Sequence, residues 1–122
     1  QIALGVAVDY ALEWGLEAIQ ARVTALADLL RRRLGAIPGV TVTDLGRQRC
    51  GLVSFMAAGK PAADLVGQLR ARRINSSVSI PSSTLLDATA RKLPDLVRAS
   101  VHYYNSEDEV DRFAAAIADL AR

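Results

Sequence analysis

Aromatic side chains are scarce in this chain: two Phe, three Tyr and one Trp among 122 residues. The core must therefore be packed from Leu, Val, Ile and Ala. There is one cysteine, Cys50, so no internal disulfide can form, and the chain fits a reducing compartment such as the cytoplasm. No apolar run is long enough to span a bilayer, and no basic n-region precedes a secretory h-region. Neither sign of charge dominates: fifteen Lys and Arg face thirteen Asp and Glu. Without a polyelectrolyte field, nucleic acid and anionic membrane are set aside as default partners. Only two lysines occur, Lys60 and Lys92, and no Gly-rich phosphate cradle of the Rossmann or P-loop kind is present.

What is present is one domain's worth of chain, which buries roughly two-thirds of its unfolded surface. The first residue is Gln, and it runs directly into an apolar helical pattern, so a piece of a longer protein is expected. Ile2 to Leu12 is almost wholly small or apolar, with Asp9 its one charge. Such a helix is expected to be buried on most faces. Gly15 marks a break. Leu16, Ile19, Val23, Leu26, Leu30 and Leu34 then recur at helical steps. Arg31, Arg32 and Arg33 read as a charge cluster in the last turn, with Gly35 as C-cap and Pro38-Gly39 as a turn.

Val40 and Val42 alternate with Thr41 and Thr43, as a half-buried strand does, and the pattern can extend to Leu45. Gly46 to Gly51 is a basic loop or a hairpin connection, and Leu52 to Ala57 is a more apolar strand. Gly59 and Pro61 open a helix with Ala62, Leu65, Val66 and Leu69 on one face. Ile74, Val78 and Ile80 mark a third extended segment, inside a stretch from Asn75 to Thr84 that holds five serines. Leu85 to Leu93 reads as a short helix ending before Pro94. The expected class is α+β: a small antiparallel or mixed sheet of about four strands, helices on one face, and a long helical segment in front.

The most informative stretch runs from Arg98 to Phe113. Val97, Ala99 and Val101 alternate with Arg98, Ser100 and His102, the pattern of a strand with two different faces. Ser106 followed by Glu109 forms a capping box, and Glu107 and Asp108 add negative charge in the first turn. Val110, Phe113, Ile117 and Leu120 give the last helix its apolar stripe. One fixed cation, Arg98, is thereby set beside a strand-to-helix turn. That arrangement can hold an anion, and the spacing alone says no more.

The same residues resemble the C-terminal signature of the class V aminotransferases, the fold-type I pyridoxal-phosphate enzymes that include cysteine desulfurases. The match lies on Arg98, Ser100, Tyr104, Asn105, Ser106, Glu107, Glu109, Val110 and Asp111. Looser similarity extends back over nearly the whole chain. The resemblance implies that residues 1–122 are the C-terminal small domain of a cytoplasmic, homodimeric transferase. Pyridoxal phosphate and its lysine would then lie on a large domain not included here. It implies transamination first, with cysteine desulfuration, epimerisation or elimination behind it. It also implies that Arg98 binds the carboxylate of a small-molecule amino-acid substrate. No residue of this chain is assigned to catalysis, cofactor binding or metal binding.

Each candidate has a plainer reading beside it. Arg98 can instead form a structural ion pair on its strand face. His102 lacks partners at any metal-ligand spacing and is assigned no chemistry. Tyr103 and Tyr104 could edge a cleft but are expected rather to pack under the last helix, and Asn105 to shape the turn before the cap. The family's persulfide-forming cysteine lies on the loop before the signature, where this chain has serines, so Cys50 reads as a buried or idle thiol. Lys60 and Lys92 lack the context of a Schiff-base lysine and read as solvated. Arg70, Arg72 and Arg73 read as another helix-end cluster. A free-standing, non-enzymatic α+β module that binds a ligand or a protein remains the rival from another class. The coding sequence upstream of Gln1 separates the two.

Overall fold

The computed structural model describes residues 2–122, and side chains from residue 3 onward. Among these, the helices and strands run α1 (Ile2–Trp14), α2 (Leu16–Gly35), β1 (Val40–Val42), β2 (Leu52–Ala57), α3 (Ala62–Ala71), β3 (Ser77–Ser79), α4 (Leu85–Arg91), β4 (Leu96–Ser100) and α5 (Glu107–Leu120). A 3₁₀ turn over Pro81–Thr84 leads into α4. The sheet order is β1-β2-β4-β3, with every pair antiparallel. The α+β class read from the sequence holds, and the choice between a mixed and an antiparallel sheet is resolved. The last strand in the chain is an interior one, paired on both edges.

Side-chain alternation sorts the two faces of the sheet. Val53, Phe55 and Ala57 on β2 and Val97 and Ala99 on β4 are buried in one core. Leu26, Leu30 and Leu34 of α2, Leu65 and Leu69 of α3, and Val110, Phe113 and Ile117 of α5 complete it. Phe55 and Phe113 meet edge to face with centroids 6.0 Å apart, so both phenylalanines of an aromatic-poor chain are spent here. Leu52, Ser54 and Met56 on β2 and Arg98 and Ser100 on β4 turn to the opposite, open face.

Several local expectations change. Gly35 stays inside α2, and Ala36 is the C-cap in the right-handed region. The left-handed residue is Gly39 (φ 80°), at the third position of an Ile37–Val40 turn closed by the Val40 N–H to the Ile37 carbonyl at 3.1 Å. Strand β1 stops at Val42, leaving Leu45 exposed, and the third strand is confined to Ser77–Ser79. Gly15 separates α1 from α2 with φ 85°, as read. The stripe of α2 buries progressively. Leu16 is 59% exposed, Ile19 and Val23 are half-buried, and Leu26 onward is core.

The apolar helix α1 is not buried within this chain. It packs chiefly on α2, and Leu4, Val6, Val8, Tyr10, Leu12 and Trp14 are 49–69% exposed. The side chain of Ile2, part of the expected buried set, lies outside the described residues. A contiguous apolar surface of this kind favours association. The chain is therefore expected to self-associate with rising concentration, and removing residues 2–12 should abolish it. Sedimentation velocity over a concentration series reads this directly.

The three arginines at the end of α2 do not form one solvated cluster. Arg32 is exposed, and Arg33 forks onto Asp111 of α5 at 2.7 and 3.3 Å. Arg31 is buried at 6% exposure. Its Nε donates to Asp44 Oδ2 at 2.8 Å and its Nη1 to Asp28 Oδ1 at 3.1 Å. Its Nη2 donates to the carbonyls of Cys50 and Leu52 at 2.9 and 3.2 Å. Arg31→Leu would leave a part-buried carboxylate and two carbonyls without this donor, at a cost of about 3–5 kcal/mol. Removing Asp44 together with Arg31 should recover part of that loss. Urea unfolding of both variants is the check.

Candidate functional site

Arg98 sits in the middle of β4, opposite Ser54 on β2 and Ser77 on β3. Because its strand is paired on both sides, the Cα is held by two ladders. The side chain projects from the open face, and its Nε donates to Ser77 Oγ at 3.1 Å. Arg22, Arg31, Arg33, Arg49, Arg72 and Arg91 each pair with a carboxylate. Arg98 pairs with none among the described residues, so the structural ion pair weighed for it does not form there.

Beyond Ser100 the strand ends, so His102 lies outside β4. Its ring stacks on Tyr104 at 4.5 Å, with Tyr103 at 4.7 Å. The turn is held from inside. The His102 N–H donates to Asn105 Oδ1 at 2.8 Å, and the Asn105 N–H returns to the His102 carbonyl at 3.0 Å. Asn105 thus shapes the turn as read. Both halves of the capping box are made: the Glu109 N–H to Ser106 Oγ at 3.1 Å, and the Ser106 N–H to Glu109 Oε2 at 3.0 Å. Arg22 of α2 braces the turn from outside, onto Glu107 Oε1 at 3.1 Å and the Asn105 carbonyl at 3.0 Å.

Tyr104 is 74% exposed and does not pack under α5. With Tyr103, it instead faces Tyr10, Trp14 and Ile19 across a shallow cleft of ≈ 370 Å³ between the signature turn and the α1–α2 corner. The cleft edge weighed for the two tyrosines is thus the arrangement found, and what the sequence reading missed is the opposite wall from α1 and α2. Its signal was the helical spacing of Tyr10 and Trp14, whose rings meet edge to face at 6.3 Å. A second cleft, of ≈ 320 Å³, lies at the C-terminal end of β4 between Ser100, Arg73, Asn75 and Arg112, and shares Tyr104 with the first.

Cys50 is exposed rather than buried, and its carbonyl serves Arg31. Lys60 is exposed in the tight turn after β2, where its N–H meets the Ala57 carbonyl at 3.1 Å. Lys92 is exposed as the left-handed C-cap of α4. Neither lysine has the desolvated setting that an aldehyde-binding amine needs. The described residues therefore do not fit pyridoxal phosphate as a holding site of their own. Nor does any group of three or more His, Cys, Asp or Glu among them converge on a metal position.

Residues 1–113 match the family described as aminotransferase class-V. A probable cysteine desulfurase of Xylella fastidiosa (strain 9a5c) is 33% identical over 125 residues, covering 99% of this chain and 29% of that protein. A cystine C–S lyase, solved with its reaction product cysteine persulfide, superimposes with a TM-score of 0.68 at 26% identity, over 84% of this chain and 24% of that one. The apo cysteine desulfurase of Thermococcus onnurineus NA1 shares the fold with a TM-score of 0.86 at 24% identity, over 93% and 28%. The chain thus spans less than a third of the length of the relatives it matches.

The capping box carries a pH dependence. The Glu109 carboxyl is held below the usual glutamate range, first by the Ser106 backbone N–H and then by the Asn105 amide. A depressed carboxylate adds stability that is complete above its unfolded pKa and is lost as pH falls through the folded one. Glu109→Gln keeps a capping side chain but not the charge. The melting temperature of this variant should trail that of the parent chain at neutral pH. The gap should close on the acid side of the glutamate range, as a thermal-melt series against pH will read.

Proposed function

We propose, from the premise that the chain belongs to the aminotransferase class-V family, that it is the small C-terminal domain of a pyridoxal-phosphate enzyme and that Arg98 binds the carboxylate of its amino-acid substrate. The observation that carries this reading is a guanidinium fixed on a doubly paired strand, exposed, and free of any carboxylate among the described residues. An arginine can fork two N–H donors onto a carboxylate, which gives orientation as well as charge. The cofactor, when bound, supplies the electron sink for chemistry at the substrate Cα, and in this reading residues outside the chain hold it.

The names of the relatives move cleavage of a carbon–sulfur bond ahead of transamination as the overall reaction. The segment from Asn75 to Thr84 carries serines and no cysteine. That favours release of the sulfur with a product over its transfer to an enzyme thiol on that segment. A homodimeric, cytoplasmic enzyme belongs to the same proposal. Among the described residues no helix is long and apolar enough to cross a membrane.

In the full-length enzyme, Arg98→Ala should lower kcat/KM for an amino acid far more than it lowers cofactor content. Losing a charge-assisted, partly desolvated pair costs about 2–5 kcal/mol, or roughly thirtyfold to several-thousandfold in kcat/KM. Arg98→Lys should rescue only in part, because an ammonium keeps the charge and loses the fork. The comparison that decides is kcat/KM for L-cysteine against cysteamine, its counterpart without the carboxylate. Equal losses for the two would make Arg98 a structural residue. The chain by itself should show no turnover and no one-to-one loading of pyridoxal phosphate on a single lysine, which absorbance and mass spectrometry can follow.

A further inference from the structure

We infer that Ser77 is the positioning residue for Arg98, fixing the guanidinium so that its two terminal nitrogens, rather than its Nε edge, meet the substrate carboxylate. This rests on the reading of Arg98 given above and names how that site is aimed. Ser77 and Arg98 are direct cross-strand partners of β3 and β4, so the hydroxyl and the guanidinium leave the sheet side by side. The Nε–H donates to Ser77 Oγ at 3.1 Å.

A guanidinium offers a carboxylate two kinds of fork, one along the Nε edge and one across the two Nη groups. The serine occupies the first and leaves the second, for which no protein acceptor is recorded among the described residues. The choice of a hydroxyl matters. Carboxylates hold Arg31 and Arg33 and neutralise them there. Ser77 orients Arg98 as a neutral acceptor, so the cation keeps its charge for an incoming anion. It also removes torsional freedom from a long side chain before the ligand arrives, which lowers the ordering cost of binding.

The test uses the full-length enzyme with Ser77→Ala, Ser77→Thr and Ser77→Asp, assayed with L-cysteine and cysteamine. Ser77→Ala should raise KM for L-cysteine about three- to tenfold, with kcat nearly unchanged and cysteamine unaffected. Ser77→Thr keeps the hydroxyl on a residue well suited to a strand and should return KM to within about twofold of the parent value. Ser77→Asp supplies a competing carboxylate beside Arg98 and should cost more than Ser77→Ala. If Ser77→Ala leaves KM unchanged, or harms both substrates equally, Ser77 does not position Arg98. Arg98→Ala, measured in parallel, separates the two failures. If its loss is confined to L-cysteine while that of Ser77→Ala is not, only the role of Ser77 falls. If Arg98→Ala is itself indifferent to the carboxylate, the reading of Arg98 falls and this inference falls with it.

Discussion

The buried guanidinium of Arg31 is the interaction on which the geometry of the Arg98 face depends. It ties the last turns of α2 to Asp44 and to the carbonyls of Cys50 and Leu52, where β2 begins. Leu52 is also the residue paired with Ser100, so the point where β2 enters the sheet sets the register of β4. That register places Ser54 beside Arg98. Burying a guanidinium is costly, and the cost is offset only where acceptors converge on it. Here two carboxylates and two carbonyls do so, and only Asp44 Oδ1 is left without a partner. The network therefore specifies where the loop from Asp44 to Gly51 must lie more than it adds to stability.

The other end of β4 is fixed by different means. The turn after Ser100 has no apolar core of its own and is built from side chains that return to nearby backbone. Asn105 closes the turn, Glu109 and Ser106 close the helix start, and Arg22 reaches across from α2. Each of these is a modest interaction in an exposed or part-buried setting. Together they leave the chain few ways to leave β4 and enter α5. The strand carrying Arg98 is thus held by ladders on both edges, by a buried ion network where β2 begins and by a capped helix beyond its end.

How much of this could be read from the sequence follows from how local each cause is. Helix α5 was legible because its cap and its stripe lie within a few residues of each other. The two faces of β4 were legible for the same reason, since alternation is a property of adjacent residues. The insertion of β4 between β2 and β3 was not, because it depends on pairings between residues far apart in the chain. Arg31 was misread for an instructive reason. It sits beside Arg32 and Arg33 and looks like them, yet it falls four residues after Ala27 and three before Leu34, on the buried side of α2. Helical phase, followed through the charged run, would have singled it out. The exposure of α1 was illegible in the opposite sense. Its composition says that it should be covered, and among the described residues its contact with α2 leaves most of its apolar side chains exposed.

The open face follows from the same alternation that builds the core. Val97 and Ala99 point into the helical layer, and so Arg98 must point away from it. A slip of one residue in the pairing of β4 would exchange the two faces, burying the cation and exposing the valine. Burial of Val97 thus selects the register that presents Arg98. Stability and presentation of the cation are satisfied by one choice, not traded against each other. What the backbone cannot choose is the direction of a flexible guanidinium once it has left the sheet. That task passes to a neighbour on the next strand, and a neutral acceptor can perform it without neutralising the charge being presented.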